Sequence, residues 1–324
     1  MRIGIIGCGR MGKERARAAS ALGHQVAALY DPEPGRAEML GSACPGAKVL
    51  SSAGDVYSHD LDALFLCTPP GSRTELELAA IEAGLPFFVE KPVAVHASDC
   101  ETVLTALRRT PVTHAVGYMN RCRHSVRHAR ELLAGANILG ACCHWVGRKY
   151  QVDWWLQAEH SGGPLNEQAT HVFDLFRFLV GEISAVAAIA PFSAAGEQPP
   201  LSVACAVQFA TGQPGTILYS CEAVDKYIDL RIMTTRGALE FAGWDLRLVG
   251  NAIDGSISPA CEEDIFVVET AQFLAAVERH EPGMVSCDLF DAYRTQLAVD
   301  AARASLASGH MVSVENHYSL QTAV

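Results

Sequence analysis

The stretch that decides the fold lies near the start of the chain, at Ile3-Gly4-Ile5-Ile6-Gly7-Cys8-Gly9-Arg10-Met11-Gly12. Its first four residues predict a buried strand, and the Ala-rich segment 13–22 that follows predicts a helix. The intervening G-x-G-x-x-G is typical of a dinucleotide-binding turn in this strand–turn–helix context. Gly7 permits the turn, Gly9 lets a pyrophosphate approach bare backbone, and Gly12 lets the helix pack on the strand. The phosphates then lie against the positive end of the helix.

A carboxylate follows at the position that this motif requires. Asp31 ends the next apolar run, 25–30, and lies 19 residues beyond Gly12. At that distance a carboxylate can bind the hydroxyl groups of a ribose. Strand, turn, helix and acid together favour a bound dinucleotide over the alternative, a glycine turn without a ligand.

The bulk properties of the chain exclude several classes of protein. Its 324 residues are too many for one ordinary core and predict two domains. The net charge of −11 argues against a nucleic-acid partner, which selects a basic face. No apolar run reaches the roughly 20 residues of a membrane span, and the first residues begin a strand rather than a signal peptide. The eleven cysteines form no C-x-x-C pair and are typical of reduced thiols, so we expect a cytoplasmic protein without a membrane partner.

Up to about residue 119 the chain alternates between strands and helices. Strands are predicted at 2–7, 25–30, 63–67, 86–89 and 113–117, and helices at 11–22, 34–41, 73–84 and 97–109. The strands are almost entirely apolar, as in a parallel sheet that is covered on both faces. This pattern predicts an α/β fold whose first domain, 1–119, is a doubly wound Rossmann sheet.

The pattern changes from residue 120 onward. A helix at 123–134, a strand at 140–148 and a helix at 164–181 precede consecutive strands at 183–191, 201–209, 214–222, 227–234, 237–242 and 245–250. Strands that are joined without helices predict an antiparallel or mixed sheet. Helices at 264–279 and 287–308 and a last strand at 311–314 follow, and segment 194–200 is predicted to be a surface loop. We therefore predict a second α/β domain, 120–324, with an open, largely antiparallel sheet.

Two predicted strands deliver polar residues to the same edge of the first sheet. Strand 63–67 ends in Thr68-Pro69-Pro70-Gly71, and strand 86–89 ends in Glu90-Lys91-Pro92. Ligands of open α/β sheets bind at the carboxyl ends of the strands. Lys91 is either a surface cation or, beside a nicotinamide, an ammonium that stabilises an alkoxide while hydride leaves the adjoining carbon.

Helix 164–181 carries one ionisable stripe on an otherwise apolar surface. Glu167, His171 and Asp174 are spaced i, i+4 and i+7, which places them within about 60° of one another on an α-helix. Such a stripe either faces solvent or lines a wet cleft, because an unpaired buried charge is costly. A histidine that is oriented by a carboxylate one turn away favours acid–base chemistry near neutral pH.

We predict no metal site. A metal held by the glutamate and histidine of this helix lacks an evident third ligand. The adjacent Cys142-Cys143-His144 would have to share one ion, although neighbouring residues of a strand point to opposite faces.

Taken in order, these motifs resemble those of the Gfo/Idh/MocA oxidoreductases, the family of glucose–fructose oxidoreductase and inositol dehydrogenase. The matching residues are Gly7–Gly12, Asp31, Thr68-Pro69-Pro70, Glu90-Lys91-Pro92, Ser161-Gly162-Gly163, Glu167, His171 and Asp174. Glu-Lys-Pro is the most specific of these motifs, and the resemblance extends to the helix at 287–308. It implies a Rossmann domain followed by an α/β domain whose open sheet often forms the oligomer contact, and hence a homodimer or homotetramer.

The resemblance also implies a catalytic set, which maps by motif onto Lys91, Glu167 and His171. The acid departs from the family pattern, because Glu167 is one methylene longer than the usual Asp. Arg15 and Arg73 stand where family members often carry histidine near the cofactor, which leaves open a contact with the extra phosphate of NADP. Asp31 argues for NAD, since its charge repels a 2′-phosphate.

Further site residues follow from the same mapping and from side-chain chemistry. The cofactor is expected to contact Gly7, Gly9, Arg10, Met11, Gly12, Asp31, Arg36, Thr68, Pro69, Arg73, Glu90 and Lys91. The substrate is expected to contact Lys91, Arg121, Tyr150, Trp154, Trp155, Glu167, His171 and Asp174. As alternatives, Arg121 forms a salt bridge at the start of a helix, and the three aromatic residues, which stack well on the C–H faces of sugars, pack in the core.

Together these features predict an NAD(P)-dependent dehydrogenase that acts on a secondary alcohol of a sugar, aminosugar or cyclitol. His171 takes the hydroxyl proton, Glu167 orients His171, and Lys91 stabilises the forming alkoxide. This mechanism requires the Lys91 ammonium and the His171 imidazole to meet beside the nicotinamide. Three alternatives stay open: an NAD-dependent glycoside hydrolase with transient hydride transfer, a non-catalytic dinucleotide-binding regulator, and an enzyme that reduces a C=C or imine bond.

Overall fold

The computed structural model describes residues 1–191, 199–257 and 263–315. The contacts divide the chain into two compact units. The first contains Met1–Ala94, Ser98–Met119 and Glu263–Ala292, and the second contains Val95–Ala97, Asn120–Glu262 and Tyr293–Val324.

The amino-terminal part of the chain alternates between strands and helices, as the apolar pattern predicts. The elements are β1 (Arg2–Ile6), α1 (Arg10–Ala21), β2 (Gln25–Tyr30), α2 (Pro34–Ala43), β3 (Lys48–Val49), α3 (Ala53–Tyr57), β4 (Ala63–Leu66), α4 (Thr74–Glu82), β5 (Phe87–Val89), α5 (Ala97–Arg109) and β6 (His114–Val116). Their six strands form one sheet in the order β3-β2-β1-β4-β5-β6, and every pair is parallel. The central strands β1 and β4 are almost wholly buried, which explains their unbroken apolar sequences.

The rest of the chain supplies the second sheet. The elements are α6 (His124–Leu133), β7 (Ile138–Arg148), α7 (Ala158–Ser161), α8 (Thr170–Leu179), β8 (Ile183–Ile189), β9 (Ser202–Phe209), β10 (Pro214–Ser220), β11 (Glu222–Thr234), β12 (Gly237–Ala242), β13 (Arg247–Asn251), α9 (Ile265–Arg279), α10 (Leu289–Ser308) and β14 (Val312–Ser313). The strand order is β13-β12-β11-β7-β10-β9-β8-β14. Only β7 and β10 pair in parallel among the described strands of this sheet. The predicted fold class, a parallel Rossmann sheet plus an open, largely antiparallel sheet, is therefore confirmed.

The helix α9 belongs to the first unit, although it follows the second sheet in the chain. Phe273 of α9 lies edge-on to Phe65 of β4, with ring centroids 5.5 Å apart, and also contacts Phe88 of β5. The predicted division at 119/120 assigns this helix to the second domain. Its apolar pattern predicts a buried face but carries no information about which sheet that face covers.

Two short elements, β3 and α3, are absent from the predicted elements, because two and five residues are too few for a periodic pattern. Most of the predicted surface loop 194–200 lies outside the described residues. Within the described part of the chain, no helix is both long enough and apolar enough to cross a membrane.

Candidate active site

The glycine turn after β1 has the shape of a phosphate cradle. Gly7 adopts φ +94°, and a Cβ there would lie 2.7 Å from the carbonyl carbon of Cys67. A Cβ on Gly12 would collide with the carbonyl oxygen of Gly7. A Cβ on Gly9, in contrast, would meet no atom of the described residues within 4 Å. The space beside the Gly9 backbone, at the start of α1, is thus open, and a pyrophosphate could approach the free N–H groups there.

Asp31 lies at the carboxyl end of β2 and braces this turn. Its carboxylate accepts hydrogen bonds from the N–H groups of Cys8, at 2.7 Å, and Glu33, at 2.8 Å. Burial, and secondarily the charge of Asp31, raises the pKa of the Cys8 thiol to about 12. The carboxylate is therefore held beside the glycine turn, and the thiol inside the turn stays protonated at neutral pH.

The residues that follow β4 and β5 meet through one arginine. Arg73 donates from Nε and Nη2 to the carbonyl oxygen of Thr68, at 3.1 and 2.5 Å. Its Nη1 donates to the carbonyl oxygen of Glu90 and, at 2.7 Å, to that of Pro92. Lys91 stands between these two carbonyl groups, is partly buried, and forms a cis peptide bond with Pro92. The motif Glu-Lys-Pro is thus anchored through its main chain.

A second arginine binds the side chain of the same motif. Arg15 of α1 contacts Glu90 Oε1 at 2.7 Å and Glu269 Oε2 of α9 at 2.6 Å. The guanidinium also lies 4.2 Å from the ring centroid of Phe88. Burial alone would lower the pKa of Arg15, but the two carboxylates raise it above its ordinary value.

These contacts change the interpretation of both arginines. Arg15 is 0% exposed and Arg73 is 2% exposed. This enclosure argues against the extra phosphate contact on which the NADP alternative depends. Other residues expected to contact the cofactor differ in exposure. Arg10 and Arg36 are exposed, whereas Met11 and Pro69 are partly buried. Arg36 also pairs with Glu33 at 2.9 Å.

In the second unit, the helix with the ionisable residues starts irregularly. Leu165–Ala169 form a π-helical turn, and α8 begins only at Thr170. Glu167, His171 and Asp174 are 7%, 5% and 1% exposed. The alternative of a solvated outer face is therefore wrong. π-helical turns of this kind occur often at functional sites.

Asp174 is paired with an arginine of the same unit. Its carboxylate accepts three hydrogen bonds from Arg121, from Nε at 3.1 and 3.0 Å and from Nη2 at 2.5 Å. Both side chains are nearly fully buried. Charge-assisted pairing of this kind explains why two ionised groups are tolerated inside the unit. The salt-bridge alternative for Arg121 thus holds, and its partner lies 53 residues away.

His171 lies against an aromatic residue that the motifs do not indicate. The imidazole stacks on the indole of Trp145 in β7, with centroids 5.6 Å apart and planes 19° apart. Trp244 meets Trp145 edge-on at 6.0 Å. The alternation of buried residues along β7, with Cys143, Trp145 and Gly147 on one face, is the signal that could have identified Trp145.

The three aromatic residues predicted to contact sugar have different environments. Trp155 is 0% exposed and belongs to the apolar core of the second unit. Tyr150 meets it edge-on at 5.5 Å, and Tyr150 and Trp154 are partly buried. Core packing therefore accounts for Trp155, which is not a sugar platform. Elsewhere in the described residues, no group of three or more His, Cys, Asp or Glu side chains is placed to hold a metal ion.

Consecutive parts of the chain match two domains of one family of known proteins. Residues 1–118 match the Gfo/Idh/MocA oxidoreductase family, NAD-binding Rossmann fold, and residues 127–240 match the Gfo/Idh/MocA C-terminal domain. An uncharacterised oxidoreductase of Streptococcus pneumoniae is 32% identical over 190 residues, which cover 56% of this chain and 50% of that protein. Inositol 2-dehydrogenase of Rhizobium meliloti is 27% identical over 334 aligned positions, which cover 97% of this chain and 99% of the relative.

The chain thus spans about half the length of the first of these relatives and nearly all of the second. A solved structure of levoglucosan dehydrogenase in complex with NADH and L-sorbose has the same fold, with a TM-score of 0.86 at 23% identity over 98% of this chain and 99% of that one. Because matches to both domains of one family follow each other along the sequence, the predicted resemblance is confirmed. This chain belongs to the Gfo/Idh/MocA family of oxidoreductases, with an NAD-binding Rossmann fold at its amino terminus.

Proposed function

We propose that this protein is an NAD-dependent dehydrogenase that acts on a secondary alcohol of a sugar, aminosugar or cyclitol. The observation that carries the proposal is the glycine turn, in which Gly9 is bare on its open side and Asp31 stands beside it. The similarity to inositol 2-dehydrogenase over nearly the whole chain supports the class of substrate.

The residues of the first unit fit NAD. The pyrophosphate would lie over Gly9 at the amino terminus of α1, and the Asp31 carboxylate would bind the ribose hydroxyl groups. The buried hydroxyl of Thr68 has no hydrogen-bond partner among the described residues, so a bound dinucleotide could satisfy it. Bound NAD supplies a nicotinamide ring that accepts or returns a hydride at its C4 atom.

The chain's own residues supply proton transfer and charge. His171 accepts the proton of the substrate hydroxyl, and Glu167, four residues earlier, orients the imidazole. Lys91 stabilises the negative charge that develops on the substrate oxygen. The alcohol thereby loses a proton to the protein and a hydride to the cofactor and becomes a ketone; ketone reduction is the reverse.

A screen of polyols, sugars and aminosugars with NAD and NADP tests the proposal through the nicotinamide absorbance. We expect turnover with NAD on at least one polyol, and a fall of about 10²- to 10⁴-fold in kcat for Lys91→Met and for His171→Ala. Both variants should still bind NAD. An aglycone released without net absorbance change would instead indicate a glycoside hydrolase, and tight NAD binding without turnover would indicate a regulator.

We also propose that the protein forms a homodimer or homotetramer through the open face of its second sheet. The family resemblance supports this, and so do the exposed apolar side chains of Ile189, Leu218 and Met311, which surround a depression of about 450 Å³. Light scattering on the purified protein tests it: Leu218→Asp should shift an oligomer toward monomer, and a monomeric wild type would contradict it.

The described cysteines are all free thiols, which supports a reducing, cytoplasmic location.

A further inference from the structure

The turn that carries Lys91 is held by an arginine whose partners are main-chain carbonyl groups. Arg73 stands immediately before α4, and its guanidinium reaches the carbonyl oxygens of Thr68, Glu90 and Pro92. Thr68 follows β4, and Glu90 follows β5. One side chain therefore ties together the carboxyl ends of two neighbouring strands.

The geometry bears directly on Lys91. A single nitrogen, Arg73 Nη1, donates to the carbonyl groups of the residue before Lys91 and of the residue after it. The guanidinium is planar and its donors form a rigid fork, so the positions of these carbonyl groups are fixed relative to one another. The backbone of Lys91 is consequently restrained on both sides, and the direction in which its side chain leaves the strand is set.

The charge of Arg73 strengthens this restraint. A hydrogen bond from an ionised donor is about twice as strong as one between neutral groups. The neighbouring Glu77, one turn later on α4, is buried as well, and burial raises its pKa to about 7 even though the charge of Arg73 lowers it. The carbonyl groups that this buried cation binds include those of both neighbours of Lys91.

We propose that Arg73 is a positioning residue for Lys91, and not the cofactor contact that its sequence position suggests. The inference rests on the proposed function, in which Lys91 is catalytic. Arg15 binds the same motif, because its Nε donates to the Glu90 carboxylate at 2.7 Å. The residue before Lys91 is thus bound through its main chain by Arg73 and through its side chain by Arg15.

The test compares Arg73→Met and Arg73→Lys in the full-length protein with NAD bound. Arg109→Met is the matched control, because Arg109 is an exposed arginine of the same unit. We expect Arg73→Met to lower kcat by about 100-fold, as for a misplaced catalytic group, with the Kd for NAD changed less than about threefold. Arg73→Lys keeps the charge but loses the fork, so it should lower kcat by roughly tenfold. If Arg73→Met fails to fold, the lysine variant carries the same comparison.

The double variant with Lys91→Met separates positioning from an independent role. If Arg73 acts through Lys91, adding Arg73→Met to Lys91→Met should cost no further activity. A multiplicative loss, or a weakened NAD affinity with kcat retained at saturating NAD, would overturn the inference. If Lys91→Met is inactive but Arg73→Met is fully active, the positioning role of Arg73 is also overturned. The proposed function is then left intact. Full activity in Lys91→Met would instead remove the proposed catalytic role of the lysine.

Discussion

The imidazole of His171 lies flat against the indole of Trp145, with ring centroids 5.6 Å apart and ring planes 19° apart. The stack limits rotation of a buried imidazole about its side-chain bonds, and it joins helix α8 to strand β7. A general base has to be held in one orientation toward the proton that it takes. The strand residue therefore belongs to the candidate site, although it lies 26 positions before His171 in the chain.

We expect Trp145→Leu to lower kcat by roughly tenfold or more while NAD affinity stays unchanged, because the ring of His171 loses its flat neighbour. Trp145→Phe keeps an aromatic face and should retain most of the activity. Steady-state kinetics with saturating NAD, together with NAD titration, measure both effects. Wild-type kcat in the leucine variant would show that the stack serves packing alone.

The glycine turn predicts two different outcomes for two similar substitutions. Gly9→Ala places a methyl group where the described residues leave open space. It should leave the melting temperature of the free protein unchanged and weaken NAD binding by about tenfold or more, because the methyl group stands where the pyrophosphate approaches. Gly12→Ala should destabilise the free protein, because its methyl group meets the carbonyl oxygen of Gly7.

Gly35→Ala in α2 is the matched control, since a methyl group there also meets no described atom within 4 Å. It should change neither the NAD affinity nor the fold. Calorimetric titration with NAD and thermal melting separate the three variants. Unchanged NAD binding in Gly9→Ala would mean that the phosphates do not lie over this residue.

The buried pair Arg121–Asp174 allows stability to be separated from substrate binding. Asp174→Asn leaves the guanidinium buried without its carboxylate and should cost about 3–5 kcal/mol. The double variant Arg121→Met/Asp174→Leu removes both charges and should be close to wild type in stability. Thermal melting measures the difference.

The same double variant tests the predicted contacts of these two residues with substrate. A stable double variant with normal KM and kcat would leave the pair a purely structural role. A stable double variant with a strongly raised KM would show that one of them binds substrate.

Glu77 predicts how the stability of the protein depends on pH. Burial raises its pKa from 4.5 to about 7, so between these values the folded state binds more protons than the unfolded state. The contribution of Glu77 to the free energy of unfolding is therefore fully present below pH 4.5. It is lost as the pH rises through about 7, because the buried carboxyl then has to ionise. The shift corresponds to about 3 kcal/mol. Glu77→Gln should therefore be more stable than the wild type at pH 8 by up to that amount.

The difference between wild type and Glu77→Gln should shrink toward pH 5, and urea unfolding across this range measures it. Glu75→Gln is the control, because Glu75 lies on the same helix and is exposed. A constant difference across the range would mean that Glu77 does not titrate near neutrality.

Local patterns were sufficient to predict the parallel sheet of the first unit and the strand, glycine turn and helix at its start, but not β3, α3 or the place of α9. The order of β1, the glycine turn, α1 and Asp31 depends on neighbours in sequence, and each residue type there is required by the backbone or by a phosphate. The same holds for the position of the Glu-Lys-Pro motif, which follows β5 directly. Long-range pairing was beyond such patterns: nothing in the sequence around Arg121 indicates Asp174, and nothing around Arg15 indicates Glu269.

Exposure was the second property that local patterns could not supply. Trp155 has the chemistry of a sugar platform, and only the packing of the second unit shows that it is buried. The ionisable stripe of the α8 region has an α-helical spacing, yet its first member lies in a π-helical turn. Its burial depends on tertiary contacts, which spacing does not encode.

The turn at Leu165–Ala169 also bears on how this protein can vary. A π-helical turn holds one residue more than an α-helical turn. Deleting one residue from it would rotate Glu167 through about 100° around the helix axis while the imidazole at His171 kept its place. Because Asn166 and Gln168 flank Glu167, loss or gain of a single codon would replace the acid beside an unchanged base by an amide. The length of this segment, as much as its composition, therefore determines what the helix presents.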